Sequence, residues 1–177
     1  MCKRSADRAP YAAGMATAAH GTHTDHGTPE GVSSITPFLA IPDARGAIGF
    51  CHDVFGARVV DVSEMGGIVV HAVLDFGHGH LQIGEPTADL GLVAPPAGED
   101  DCYSLGLYVQ DVDAVVAAAR AAGATLREPV TDFASGDRYA SIRDPFGIRW
   151  SVMTRIVDIS EEESARRVAE WAASRAQ

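Results

Sequence analysis

His71, Val73 and Asp75 alternate along the apolar run IVVHAVLD, so in a strand all three share one face. His80 follows on the next run. Such a set can supply a general base or complete an irregular metal site; the plainer alternative is a histidine held by a backbone carbonyl. In Asp137-Arg138-Tyr139, Arg138 can grip an anionic group through two parallel hydrogen bonds, or simply join a turn and a surface ion pair. Tyr139, His71 and His80 are the candidate acid–base groups. His20, His23 and His26 lie three apart and can clip a soft divalent ion, or remain solvated. Asp144, in Asp-Pro-Phe-Gly, reads as a turn former bonding its own backbone. No G-x-S-x-G elbow, P-loop, Rossmann glycine pattern or nucleophilic triad is present.

These residues sit in a chain of 177 with 14 Lys+Arg against 24 Asp+Glu, a formal charge of −10. The surplus of acid disfavours nucleic acid as a partner and gives a cationic small molecule an attractive long-range field. No run approaches the roughly 20 apolar residues of a membrane-spanning helix. Lys3 and Arg4 are not followed by a signal-type apolar segment, so a cytoplasmic location is expected. Cys2, Cys51 and Cys102 are widely spaced, which argues against a disulfide framework or a structural zinc site and for small buried or incidental thiols.

Residues 1–33 lack the apolar density that offsets ordering entropy and read as a flexible tail, with Met15 as a second candidate start. From Ile35 the pattern changes. Residues 35–41 read as a strand, and Asp43 caps a helix ending at Gly56. Strands follow near 57–63, 67–76 and 79–84. A Pro- and acid-rich stretch over 85–101 comes next, and then the order recurs. Residues 103–109 form a strand, Asp111 caps a helix stopping at Gly123, and strands lie near 124–130, 138–143 and 148–154. Asp43 and Asp111 are 68 apart, and Gly56 and Gly123 are 67 apart, the mark of an internal repeat. The chain thus divides into a tail (1–33), a βαβββ module (34–92), a linker (93–101), a second module (102–158) and a C-terminal helix (159–177). That helix starts at a capping box, Ser160 with Glu163.

The repeat resembles the vicinal oxygen chelate superfamily, the glyoxalase/bleomycin-resistance fold. The carrying residues are Phe38 to Asp43, Phe50, Phe55-Gly56-Ala57, Val109-Gln110-Asp111, Ala122-Gly123-Ala124, and above all Arg143-Asp144-Pro145-Phe146-Gly147-Ile148-Arg149-Trp150. His71-Ala72, Gly136 to Tyr139 and Asp158 to Glu162 are most similar to its PhnB-like branch. The resemblance implies an α+β fold in which two βαβββ modules form an open eight-stranded cup, and a homodimer.

Alternation sorts the strand residues by face. Ser104, Gly106 and Tyr108 face the cup, as do Arg149, Ser151 and Met153, while Trp150 and Val152 pack outward under a helix. By the repeat, Thr36, Phe38 and Ala40 face the cup from the first strand, and His80 and Gln82 from the fourth. The resemblance places the metal-ligand positions of metal-dependent members at Thr36, Gln82, Ser104 and Ser151. Neutral hydroxyls and one amide offer a divalent ion no compensating charge, so no metal and no other cofactor is expected. Without a Lewis acid, the cup suits capture of a small organic molecule, aromatic or cationic, as in drug-sequestering resistance proteins. Phe38, Tyr103, Tyr108, Phe133, Tyr139, Trp150 and Met153 are available for stacking. With Arg138 included, the expected ligand set is Thr36, Phe38, His80, Gln82, Ser104, Tyr108, Arg138, Arg149, Ser151 and Met153. Two alternatives stand beside antibiotic or natural-product binding: an enzyme (lyase, isomerase or dioxygenase) with an atypical metal site or metal-free acid–base catalysis, and a partner-binding domain using Val168 and Trp171 of the last helix.

Overall fold

The computed structural model describes residues 17–98 and 100–175; Cys2, Lys3, Arg4, Met15 and Glu99 lie outside these. The chain divides into two compact units, one ending at Ser34 and one beginning at Ile35. In the first, β1 (Thr24–Asp25) pairs antiparallel with β2 (Thr28–Pro29). Between them His26 takes φ 45° and Gly27 φ 88°, the left-handed conformation a tight hairpin turn demands.

The second unit holds β3 (Phe38–Ala40), α1 (Ala44–Phe55), β4 (Arg58–Met65), β5 (Ile68–Asp75) and β6 (His80–Gly84), then β7 (Leu105–Tyr108), α2 (Val112–Ala121), β8 (Thr125–Asp132), β9 (Asp137–Arg143), β10 (Arg149–Arg155) and α3 (Glu161–Arg175). The caps form as the sequence predicts. Asp43 Oδ1 accepts from the Gly46 amide at 2.9 Å, and Asp111 Oδ1 from the Ala114 amide at 3.0 Å. Gly56 closes α1 at φ 71°. The capping box of α3 is only half made. Ser160 Oγ accepts from the Glu163 amide, but the Glu163 carboxylate turns to Arg166 and Arg167 instead. Those guanidinium groups pull its pKa down to about 2.

The two sheets have the same order, β3-β6-β5-β4 and β7-β10-β9-β8, with the first pair parallel and the others antiparallel. In α1, Ala44, Ala47, Ile48, Cys51 and Val54 are buried, as are Leu39, Ala72, Leu74, Leu81 and Ile83 of its sheet. In α2, Val112, Val116 and Ala119 are buried with Ala140, Ile142 and Val152. The helices also pack on each other. Trp150 joins the modules, its ring 4.7 Å from Phe55 and 6.1 Å from Phe76, while Phe146 lies edge-on to Phe50. The helix-covered faces of both sheets therefore share one core, and the opposite face of each is left uncovered. Among the described residues no helix is long and apolar enough to cross a membrane.

Cys51 is buried and Cys102 exposed. Desolvation pushes the Cys51 thiol up to about 12, where it holds almost no thiolate. In a Cys2→Ser variant, a thiol-specific disulfide reagent should therefore react with Cys102 in the native protein and with Cys51 only after denaturant is added.

Candidate functional site

Strand register builds the uncovered face of the first sheet. Phe38 lies opposite Gln82, which lies opposite Val73. One row on, His80 lies opposite Asp75. The Phe38 ring stacks on His71 at 6.2 Å and lies over Gly84. A Cβ at Gly84 would stand 2.8 Å from Phe38 Cζ and 2.6 Å from the Val70 carbonyl, so only glycine fits. Gly84→Ala should cost about 1–3 kcal/mol and push the Phe38 ring off its seat. Chemical denaturation checks the first effect, and the His71 ring proton shifts check the second.

His71, Val73 and Asp75 share this face as the alternation predicts, and Asp75 is engaged by partners of its own. The Asp75 carboxylate accepts from Arg58 at 2.6 Å and from the Gly77 amide at 2.7 Å, and these partners hold it below the usual carboxylate range. His71 is four residues from Asp75, the residue opposite His80, which places the two backbone positions about 13 Å apart along the strand. Tyr139 belongs to the other sheet. His71, His80 and Tyr139 are thus not brought together within the chain. His80 Nδ1 is buried without a hydrogen-bond partner among the described residues. Thr36 precedes β3 and is half-buried.

On the second sheet the uncovered face carries Tyr108, Met153 and Tyr139 in one row and Gly106, Ser151 and Ser141 in the next. Ser104 Oγ and Ser151 Oγ lie 2.8 Å apart. Arg149 donates from Nε to Ser141 Oγ at 2.9 Å and from Nη2 to Glu128 at 2.6 Å. Tyr108 is 58% exposed, with its hydroxyl 3.4 Å from Asp137. Asp137 is itself held by Ser135 and Arg155.

Arg138 is a correction to the expected ligand set. It alternates with Tyr139 and therefore points to the opposite face, where Asp113 of α2 takes its Nε and Nη2 and Asp132 its Nη1. This is the surface ion-pair arrangement, and it leaves no free fork for a ligand. Two aromatics are also committed elsewhere. Trp150 is 3% exposed in the core, and Phe133 meets Trp171 of α3 edge-on at 4.9 Å. Of the other five, Tyr103 precedes β7 and is partly exposed, and Phe38, Tyr108, Tyr139 and Met153 lie on the uncovered faces.

At the end of the second face, beside the expected ligand residue Arg149, stand Asp101, Arg127 and Arg143, which the sequence did not single out as site residues. Asp101 lies 3.1 Å from Arg143, 3.5 Å from Arg149 and 3.9 Å from Arg127. Arg143 follows Tyr139 and Ser141 on one face of a strand already read from the sequence, so its orientation was open to alternation; the position of Asp101 on the linker was not.

The donor chemistry does not fit a superfamily-type metal. Ser104 and Ser151 meet as a hydroxyl pair, and Gln82 and Thr36 belong to the other module. No imidazole or carboxylate stands at any of the four positions, and neutral hydroxyls cannot offset the dehydration of a divalent ion. Among the described residues, metal-ligand side chains converge instead in the first unit, where Asp25 Oδ1 lies 3.3 Å from His20 and 3.7 Å from His26. His23 is outside that group.

Residues 31–152 match the family model for the Glyoxalase/Bleomycin resistance protein/Dioxygenase superfamily. An uncharacterized protein of Mycobacterium bovis is 28% identical over 134 residues, covering 73% of this chain and 88% of its own. TioX from Micromonospora sp. ML1 superposes with a TM-score of 0.55 at 28% identity, covering 72% of this chain and 100% of that one. The fosfomycin resistance protein FosX from Listeria monocytogenes, solved with Mn(II) and sulfate, shares the fold at TM-score 0.57 and 14% identity, covering 76% of this chain and 96% of that one. The duplicated βαβββ units, their uncovered faces and this match lead to one assignment: the chain belongs to the glyoxalase/bleomycin resistance protein/dioxygenase superfamily.

Proposed function

We propose that this protein is a metal-free receptor for a small organic molecule, aromatic or cationic, and serves in antibiotic or natural-product sequestration in the cytoplasm. The observation that carries the reading is the Ser104–Ser151 hydroxyl pair, set among Tyr108, Met153, Tyr139 and Arg149 on an open sheet face. Aromatic and thioether groups beside a few oriented polar atoms suit ligand capture. Nothing at the four positions would hold a cation to stabilise developing oxyanion charge. The Gly136 to Tyr139 and Asp158 to Glu162 segments support placement in the PhnB-like branch.

A homodimer completes the pocket on this reading. Both helices face the shared core, so neither uncovered face is closed by the other. All eight residues of the edge strand β4 are exposed, among them Val59, Val60, Val62 and Met65. Apolar side chains along an open edge favour burial by a second copy.

The test is thermal unfolding with a panel of planar aromatic and cationic natural products, bleomycin among them, on the His20→Ala/His26→Ala chain. These changes keep the hairpin cluster from contributing metal. A true ligand at 100 times its Kd adds about 2.7 kcal/mol, equally with and without EDTA, and sedimentation gives a dimer. Stabilisation that requires added metal, or no stabilisation by any member of the panel, would overturn the reading.

A further inference from the structure

We propose that Arg143, Arg149 and Arg127 form a subsite for a compact oxyanion, such as the carboxylate or phosphate group of a larger ligand, and that Asp101 holds this place until the anion displaces it. The proposal rests on the receptor reading above for its ligand, but not for the subsite itself.

Arg143 and Arg149 are directly opposite in the β9–β10 ladder, so two guanidinium groups stand side by side on the uncovered face, and Arg127 joins them from β8. Like charges so close need an anion between them. Asp101 supplies it, yet the fit is poor. Its side chain is only 6% exposed, with oxygens 3.1, 3.5 and 3.9 Å from the three arginines, and neither oxygen makes a hydrogen bond among the described residues. Arg143 Nε is likewise buried without one. A buried, misaligned ion pair keeps much of its desolvation cost. A free oxyanion can instead rotate to meet guanidinium donors in line.

The two sides of the contact differ in stiffness. The arginines stand on paired strands, whereas Asp101 sits on a linker with no helix or strand among its described residues after Leu92. Arg143 also donates to the linker carbonyls of Gly98 and Pro96. A cleft of about 370 Å³ between the linker and the β9–β10 turn is lined by Arg127 and Arg143 and gives solvent a route to them. Asp144 also lines it, but its carboxylate is engaged within the turn. Among the described residues the three arginines meet Asp101 and, through Arg149, Glu128.

The alternative is a plain clamp that only tethers the linker, and anion rescue separates the two. Sodium phosphate and sodium acetate are titrated against sodium chloride at constant ionic strength into wild type, Asp101→Asn and Asp101→Asn/Arg143→Gln, with unfolding temperature as the readout. The expected result is stabilisation of Asp101→Asn by phosphate or acetate, with a half-saturation at least tenfold lower than in wild type. The more effective anion names the group, and the effect is lost in the double variant. An Asp101→Asn response equal to wild type, or a response that survives Arg143→Gln, would overturn the proposal. Should Asp101→Asn fail to fold, hydrogen exchange of the wild type decides. Phosphate must then speed exchange over residues 97–101 more than chloride does, and equal rates would reject the subsite. Failure of the natural-product panel with anion rescue intact would reject the receptor reading alone.

Discussion

Replacing Asp144 by alanine should lower the unfolding free energy by at least about 3 kcal/mol, because each buried donor left without a partner costs about 1–3 kcal/mol. Asp144 is 6% exposed and serves three donors. Oδ1 accepts from the amides of Phe146 and Ile148, and Oδ2 from the Trp150 indole, all at 2.9 Å. The turn it ties holds Phe146 against Phe50 and sets Trp150 beside Phe55, so the loss spreads into the contact between modules. Asparagine should cost less, since its carbonyl can still accept from the two amides while its NH₂ faces the indole donor. Burial holds the Asp144 pKa above the usual aspartate value of 3.8, outweighing the hydrogen bonds that lower it. The stability contributed by that shift is full below the unfolded value and is lost as pH rises through the folded one. Asp144→Asn should flatten this part of the stability profile. Denaturant titrations between pH 3 and 7 check magnitude and slope together.

Tyr108→Ala should have the opposite character. The ring is mostly exposed, and its hydroxyl makes a long bond to an Asp137 already held by Ser135 and Arg155, with Arg155 beside it as well. Stability should change by less than about 0.5 kcal/mol, as for other surface sites. If Tyr108 stacks on the ligand, however, its loss should weaken binding by about 2 kcal/mol, the size of an aromatic hot spot, or roughly thirtyfold. Met153, opposite it in the β7–β10 ladder, should show a smaller loss on truncation. Calorimetry with the best-bound member of the natural-product panel measures both. Unchanged affinity in Tyr108→Ala would place the ligand off this face.

Local chemistry made much of this architecture legible. Asp43, Asp111 and Gly56 act where their types and spacing put them, and the Asp-Pro-Phe-Gly turn works through Asp144. Period-two alternation correctly placed Tyr108, Ser151 and Met153 opposite Trp150 and Val152. The same alternation could have excluded Arg138, which points away from its neighbour Tyr139. The separation of His71 from His80 depended on strand register, which neither run specifies alone. The Asp101 contact joins an irregular linker to three strand residues distant in sequence by close ion pairs, and no periodicity marks it. Glu163 lay within reach of two solutions, and nearby arginines won it from the helix cap.

The measurement that bears most directly on the central claim is a combined binding and product assay on the EDTA-treated His20→Ala/His26→Ala chain. Natural products from the panel are titrated by calorimetry, and each compound is then recovered and weighed by mass spectrometry. A metal-free receptor should give saturable, stoichiometric binding and a recovered compound of unchanged mass. A changed mass, or binding that appears only on adding Mn, Zn, Ni or Fe, would contradict it.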